Sequence, residues 1–379
     1  MKILMIAIPN HHFFQWVSQL KESGYEVFWF DITDGAGFSE RINWVQQFNG
    51  WKLKWDYPFR YKIKKSFPQL YSLLEKIIVN KVDTVFENLL KKIQPDIVHC
   101  FEMKLAGLPI LSVIEKNKIP FVYSSWGSDM FNYESLEVRT TPAKSFLKRV
   151  DYLITDCNRD FKIAQQLGFT ANFLGVFPGN GGIAIEKSFI QSNNTRKTIC
   201  VKGYEDGVGK ALAVIKAIES IPLDESIDFL VFSADEIVFD YLKNSEYFKQ
   251  KKVEVITKNL FIQNKFLLQK LGNCSLYIGN SSSDGMPNSL LEAMGMGVFP
   301  IQSNPGKVTE EVITHGVNGF LIEDTNDTKA IANLIKSAIE NQELRGKAQE
   351  YNVSFIQKNY SREMLQKEII GLYQNVNLN

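Results

Sequence analysis

Two segments carry residue types and spacings suited to an anionic or polyhydroxyl ligand. Residues 201–212 read Val-Lys-Gly-Tyr-Glu-Asp-Gly-Val-Gly-Lys-Ala-Leu, which places Lys202 and Lys210 eight apart with Gly203, Gly207 and Gly209 between them. Glycine lets a backbone approach a bound group closely, and two ammonium groups can neutralise a diphosphate. The pattern Gly-x-x-x-x-Gly-Lys-Ser/Thr is absent, so this is not a P-loop. Residues 281–297 read Ser-Ser-Ser-Asp-Gly-Met-Pro-Asn-Ser-Leu-Leu-Glu-Ala-Met-Gly-Met-Gly. Here Asp284 and Glu292 frame a polar loop that runs into a short helix starting near Pro287 or Asn288. Proline fits a first helical turn because its missing N–H would have had no intrahelical partner there. Gly295 and Gly297 stop the helix. Its N-terminus offers free N–H groups and a partial positive charge, a natural seat for a phosphate or a sugar's hydroxyls. Asp284 stands at the mouth of the loop and Glu292 about a turn into the helix. Backbone N–H groups of Gly285, Met286 and Asn288 add donors, and Pro287 adds none. An ordinary loop–helix junction with a capping acid has the same local pattern.

The order of these residues resembles the C-terminal half of a family 4 glycosyltransferase of the GT-B fold. That family carries Glu-x7-Glu, then Ala-Met-Ala-x-Gly-x-Pro, then Asp-Gly-x-Asn-Gly. This chain has Asp284-x7-Glu292, then Ala-Met-Gly-Met-Gly-Val-Phe-Pro to residue 300, then Thr-His-Gly-Val-Asn-Gly within residues 310–322. The resemblance is strong from residue 202 to residue 360 and weaker before that, and it departs at the first acid, Asp284 in place of Glu. It implies an α/β chain of two doubly wound Rossmann-like domains facing across a cleft. It also implies a nucleotide diphosphate sugar as donor, UDP- or GDP-linked, and transfer with retention to a saccharide or lipid-linked acceptor in cell-surface polysaccharide or glycolipid synthesis. No separate cofactor and no metal are implied, and no Asp-x-Asp triplet marks a metal-bound diphosphate.

By the same resemblance Lys202 and Lys210 bind the donor's diphosphate, Asp284 faces its sugar, and Glu292 hydrogen-bonds the ribose. Gly203, Gly285, Met286, Pro287 and Asn288 complete the donor site. In the first half, residues 124–130, Ser-Ser-Trp-Gly-Ser-Asp-Met, resemble the family's His-Gly-x-Asp segment, with Trp126 in place of the His. Gly127 allows a close approach there, and Asp129, the ionisable group of that segment, joins the catalytic set; a structural turn is an equally good reading. His11 and His12, in the loop after the first strand, join Trp126 on the acceptor side, although that loop lacks the family's glycines. Pro178-Gly-Asn-Gly-Gly182 reads as a structural turn, and His99 and His315 as structural residues.

These residues need strand ends and helix starts to hold them, and the apolar patterning supplies both. Short apolar runs at residues 2–8, 24–30, 96–101, 120–124 and 151–155 alternate with helical stretches at 14–22, 108–116 and 145–150. A second series runs through 197–201, 228–232, 253–256, 275–279 and 298–301, with a helix at 211–220. Such alternation indicates parallel sheets covered on both faces. Residues 184–197 lack periodicity and read as a linker. The expected division is residues 1–185 for acceptor binding, 195–358 for the nucleotide sugar, and a terminal helix, 359–379, crossing back to the first domain.

At 379 residues the chain suits two domains. Its 45% hydrophobic and 22% charged residues exclude a disordered or collagen-like chain, and its net charge of +1 gives no global case for nucleic acid. Residues 51–92 differ, with ten basic against four acidic residues, a net +6, and with Trp51, Trp55, Tyr57, Phe59, Tyr61 and Phe67 interleaved. That stretch is a candidate for an anionic membrane surface, or else a solvated helix face with core aromatics. Cys100, Cys157, Cys200 and Cys274 form no Cys-x-x-Cys pair and read as reduced thiols in a cytoplasmic protein, peripheral at the inner membrane face if residues 51–92 engage it. The first apolar run is short and reads as a buried strand instead of a signal peptide. A sugar-nucleotide binder without catalysis and a nucleotide-sugar epimerase of the same fold remain as alternatives. A dinucleotide oxidoreductase is disfavoured, since Gly-x-Gly-x-x-Gly does not follow the first strand.

Overall fold

The computed structural model describes residues 1–54, 66, 78–260 and 262–376. Contacts divide the chain into two compact units. Met1–Asp156, Asp160–Gly181 and Gln366–Asn379 form the first; Cys157–Arg159 and Gly182–Leu365 form the second.

The first unit holds seven parallel strands, β1 (Lys2–Ala7), β2 (Glu26–Asp31), β3 (Gln46–Phe48), β4 (Ile97–Phe101), β5 (Phe121–Ser124), β6 (Tyr152–Thr155) and β7 (Asn172–Val176), in the order β3-β2-β1-β4-β5-β6-β7. Burial of β1, β2 and β4 is near-continuous, as expected of a sheet with helices on both faces. Leu4, Ile6, Phe30, Val98, Cys100, Phe121 and Leu153 supply its core, against Phe86 and Leu90 of the helix Val82–Ile93 and Phe146 of the helix Thr140–Arg149. The second unit has six parallel strands, β8 (Thr198–Lys202), β9 (Asp228–Ala234), β10 (Val253–Thr257), β11 (Cys274–Gly279), β12 (Phe299–Ser303) and β13 (Phe320–Ile322), ordered β10-β9-β8-β11-β12-β13. Both orders reverse at the centre, between β1 and β4 and between β8 and β11, the doubly wound pattern whose ligands sit at the carboxyl ends of the strands.

Three local readings change. His11 and His12 are not loop residues: Asn10 caps the helix His11–Ser18, its side chain accepting from Phe13 N–H, so both histidines lie in the first helical turn. The segment 184–197 is no free linker. Arg196 is buried, and its guanidinium donates to the carbonyls of Gln191, Cys274, Met296 and Gly297, pinning the segment to the second unit. One satisfied guanidinium anchors a stretch that hydrophobic periodicity cannot reveal. Trp51 packs on Phe30 and donates from Nε1 to the Asp31 carbonyl at 2.7 Å, which makes it part of the first unit's packing. Lys52 and Lys54 are exposed, whereas Trp55, Tyr57, Phe59, Arg60, Tyr61, Lys62, Lys64, Lys65, Phe67 and Lys76 lie outside the described residues. All four cysteines are buried, and none is in a disulfide; no helix among the described residues is long and apolar enough to cross a membrane.

The helix Arg362–Gln374 is tied into the first unit by Tyr373. The Tyr373 hydroxyl accepts from Trp16 Nε1–H at 3.1 Å and lies 2.8 Å from His99 Nδ1, while His99 Nε2 lies 2.8 Å from Ser124 Oγ. Both ring nitrogens of His99 are thus occupied. Burial holds the His99 pKa down to about 3, which keeps the ring neutral and suits a structural role. Tyr373→Phe should therefore lower stability by about 2 kcal/mol, the cost of leaving buried partners unpaired. Chemical or thermal unfolding of the two proteins measures it, and an unchanged midpoint would contradict the network.

Candidate functional site

In the second unit the two chemistry-bearing segments meet at the carboxyl ends of the central strands. Lys202 is the last residue of β8, and β11 ends at Gly279, ahead of the loop that carries Asp284. The two loops are joined directly. Gly209 bridges Ser281, Lys210 N–H donates to the Asn280 carbonyl at 2.9 Å, and Ser282 N–H donates to the Val208 carbonyl at 2.9 Å. Asn280 Nδ2 also donates to the Lys210 carbonyl at 3.2 Å and to that of Thr325 at 2.8 Å, so Lys210 is held on both sides of its peptide. Arg159, which belongs to this unit, donates to the Asp284 carbonyl at 2.9 Å and to that of Pro305 at 2.8 Å.

Lys202 Nζ lies 3.7 Å from Asp284 Oδ2 and 4.7 Å from the centre of the Tyr204 ring. Among the described residues no carboxylate pairs with Lys210. The helix carrying the second acid spans Asn288–Gly295, with Pro287 in the N-cap position and no side-chain cap. Glu292 is almost fully buried on that helix and accepts from Asn264 Nδ2 at 2.8 Å. Burial pushes its carboxyl up to about 7; the Asn264 hydrogen bond and the Lys202 charge pull the other way. Tyr277 shares a 2.9 Å hydrogen bond with Ser289 Oγ, and burial is the main reason its phenol stays neutral, with the Asp284 and Glu292 charges adding smaller contributions.

Lys202, Lys210, Asp284 and Glu292 are thus brought to one strand-end region around two ammonium groups and two carboxyls. Gly203 has a different reason to be glycine: a Cβ there would stand 2.6 Å from the Ala234 Cα, so it lets β8 end tight against β9. The Met286 side chain belongs to the core. Gly285 and Pro287 are buried in the same loop, and Asn288 opens the helix. Asn264, Tyr277, Asn280 and Arg159 were not singled out by sequence. Each acts through a partner far along the chain, and only the strand-end position of Asn280 offered a signal. Asn318, in the Gly-x-Asn-Gly segment, is structural: its side chain accepts from Thr314 N–H at 2.7 Å and exchanges hydrogen bonds with Asn352. His315 accepts from Leu321 N–H at 3.0 Å and holds the same turn.

The first unit presents its candidates at the ends of β1, β4 and β5. His12 lies 6.1 Å from the Trp126 ring, and Trp126 lies 6.0 Å from Phe101; the Arg41 guanidinium is 3.1 Å from His11 Nδ1. A Cβ on Gly179 would come 3.3 Å from Trp126, which gives the turn at residues 178–182 a structural purpose. Gly127, at φ +85°, makes the bend that turns Trp126 away from the strand.

Asp129 holds its own loop in place. It is buried, and its carboxylate accepts from Met103 N–H (2.9 Å), Trp126 N–H (2.8 Å) and the Tyr123 hydroxyl (2.6 Å). It therefore fastens the Trp126 loop to the end of β4, and burial raises its pKa. Nor is it alone: Glu102, at φ +73° directly after β4, turns its carboxylate onto the N–H groups of Lys104 and Leu105. Burial, then the Asp129 charge, lifts its carboxyl to about 7. Asp129→Asn keeps the shape but turns one acceptor oxygen into a donor facing donors. It should cost about 1–3 kcal/mol of stability, read as a lower melting temperature; a variant as stable as wild type would show that the carboxylate does not anchor the loop.

Comparison with known proteins now places this geometry. Residues 187–354 match the family model for glycosyl transferases group 1, and residues 84–157 match that for glycosyl transferase 4-like domains. An uncharacterized glycosyltransferase of Methanocaldococcus jannaschii is 26% identical over 168 residues, 43% of this chain and 41% of that protein, so the match spans less than half of the relative's length. Among solved structures, sucrose-phosphate synthase from Thermosynechococcus elongatus superposes with a TM-score of 0.71 at 14% identity, covering 99% of this chain and 98% of that one. HepE from Anabaena, solved with UDP, gives 0.69 at 13% identity over 99% of this chain and 100% of its own. The two family models and the solved neighbours together support a glycosyltransferase of the family 4 type, and the fold is GT-B.

Proposed function

We propose that the protein transfers a sugar from a nucleotide diphosphate sugar, UDP- or GDP-linked, to a saccharide or lipid-linked acceptor, with retention of configuration. The observation that carries this reading is the convergence of Lys202, Lys210, Asp284 and Glu292 at the carboxyl ends of β8 and β11, on two loops joined by backbone hydrogen bonds. In the reaction the bond from the sugar C1 to the β-phosphate oxygen breaks and the nucleoside diphosphate leaves with the electron pair. The acceptor hydroxyl forms the new bond to C1 on the face the diphosphate leaves and passes its proton to the departing diphosphate oxygen. The protein's task is then electrostatic. Lys202 and Lys210 stabilise the charge that grows on the diphosphate, and fixed groups replace solvent at the reacting centre. Glu292 accepts from the ribose hydroxyls, and Asp284, shorter than the family's Glu, reaches the sugar from the loop beside Lys202, directly or through a water. On the acceptor side, Ser125 Oγ and Trp126 Nε1 are buried without hydrogen-bond partners among the described residues, beside the aromatic pair of His12 and Trp126. Such groups suit a hydroxyl-bearing ligand that meets an aromatic face.

The test begins with UDP and GDP: the nucleotide that binds should raise the melting temperature, by mass action worth about 2.7 kcal/mol at a hundred times Kd. With the matching donor sugars, Lys202→Ala and Lys210→Ala should each cost about 3 kcal/mol of transition-state stabilisation, a loss of roughly two orders of magnitude in kcat/KM. Turnover unchanged in both variants would overturn the assignment of the lysines. Donor binding with no transfer to any acceptor would instead favour a silent binder.

We further propose that residues 51–92 bring the enzyme to an anionic membrane surface where a lipid-linked acceptor resides, which would make it a peripheral protein of the cytoplasmic face in polysaccharide or glycolipid assembly. The support is the local net charge of +6 in a chain of net +1. Each basic residue near such a surface contributes about 1 kcal/mol, and salt screens the attraction. Co-sedimentation with phosphatidylserine vesicles should be strong at low salt and weak at high salt; absence of binding at low salt would point to a soluble acceptor.

A further inference from the structure

Among the described residues, a single neutral side chain from another helix hydrogen-bonds the buried carboxyl of Glu292. Asn264 is the first residue of the helix Asn264–Leu271, where an asparagine commonly serves its own backbone. Here it reaches across to a different helix: its Nδ2–H donates to Glu292 Oε1 at 2.8 Å. The charged and titratable groups facing Glu292 are few. They are Lys202 from β8, which favours the anion, Tyr277 from β11, which stays neutral, and Asp284 from the loop, whose charge reaches the same Tyr277 hydroxyl. Burial is the largest influence, and it favours the protonated acid. A protonated carboxyl is a poor acceptor for two ribose hydroxyls, so the site needs a group that favours the anion and fixes its orientation.

Resting on the reading that Glu292 receives the ribose, we propose that Asn264 is a positioning residue: it keeps the Glu292 carboxylate ionised and holds one oxygen, leaving the other for the ribose of a nucleoside diphosphate. Asn264 touches no reacting atom and acts only through Glu292. Its effect is therefore a shift in the pH at which nucleotide affinity is lost. The sign follows from the ionisation. Affinity is full above the Glu292 pKa and falls about tenfold per pH unit below it, and removing the Asn264 donor moves that point upward.

Calorimetric titration of UDP and GDP from pH 5.5 to 9 tests this, on wild type, Asn264→Ala and Asn264→Leu, the last filling the same space without a donor. Wild-type affinity for the nucleotide that binds should decline as pH falls through about 7. Both variants should move the midpoint up by about one unit. Their affinity should then drop roughly five- to tenfold between pH 6 and 7 and less than twofold at pH 9. The ligand's own ionisation is common to all three proteins and cancels. In a Glu292→Gln background Asn264→Ala should produce no midpoint shift. Binding of neither nucleotide by the wild type overturns the donor-site reading and this inference with it. Wild-type binding with an unmoved midpoint in the variants, or with a loss equal at every pH, overturns the role of Asn264 alone.

Discussion

The reversal of strand order between β8 and β11 is the constraint on which the candidate donor site depends, because crossovers between parallel strands are right-handed almost without exception. Connections leaving two adjacent central strands must therefore depart in opposite directions, and their first residues part to leave a crevice. That is why Lys202 and Asp284, 82 positions apart, come within 3.7 Å. The loops still need a fixed separation, and backbone pairing sets it: the bridge between Gly209 and Ser281, with Asn280 on both sides of Lys210, ties one loop to the other. Gly203 lets β8 end flush against β9, so the lysine starts from a rigid point. The same reversal between β1 and β4 places His12 and Glu102 at strand ends in the first unit.

Charge placement then decides what such a crevice can hold. Lys202 stands beside an acid, which keeps its ammonium ordered in the free protein, and any diphosphate must compete with Asp284 for it. Lys210 has no carboxylate among the described residues and presents its full charge. An exposed ion pair contributes little, but a pair as covered as this one is screened less by salt. Glu292 is the costlier choice, since a carboxyl so deeply buried tends to take up a proton. The arrangement is reasonable only where the ionised form is used.

The sequence was legible where local rules suffice. Continuous apolar runs alternating with helical ones specify buried parallel strands, and both sheets follow from them. Lys202, Lys210, Asp284 and Glu292 stood out because glycines and a proline punctuate strand and helix ends. Short edge strands such as Gln46–Phe48 and Phe320–Ile322 were missed, three residues being too few for a period to show. The histidines were placed in a loop because the Asn10 cap moves the helix start three residues earlier than the apolar pattern suggests. Asp129 shows what residue type leaves open: an acid after a strand end reads equally as reactive or as a turn residue, and its three donors become visible only in the fold. Arg196 and Asn264 were invisible for a related reason, since their partners lie dozens of residues away and no spacing rule connects them.

The contrast between those two residues explains the chemistry available at Glu292. Arg196 meets neutral carbonyls, where a planar guanidinium can satisfy several acceptors at once. An arginine facing Glu292 would secure the anion more firmly, but a bidentate pair would occupy both carboxylate oxygens and leave none for a ligand. An amide supplies one directed hydrogen bond and no charge. It offsets part of the desolvation, fixes the carboxylate's rotation, and leaves the acid dependent on Lys202 for the rest of its stabilisation. The Lys202 ammonium is therefore shared between two acids: it stands 3.7 Å from Asp284 and its charge favours the Glu292 anion.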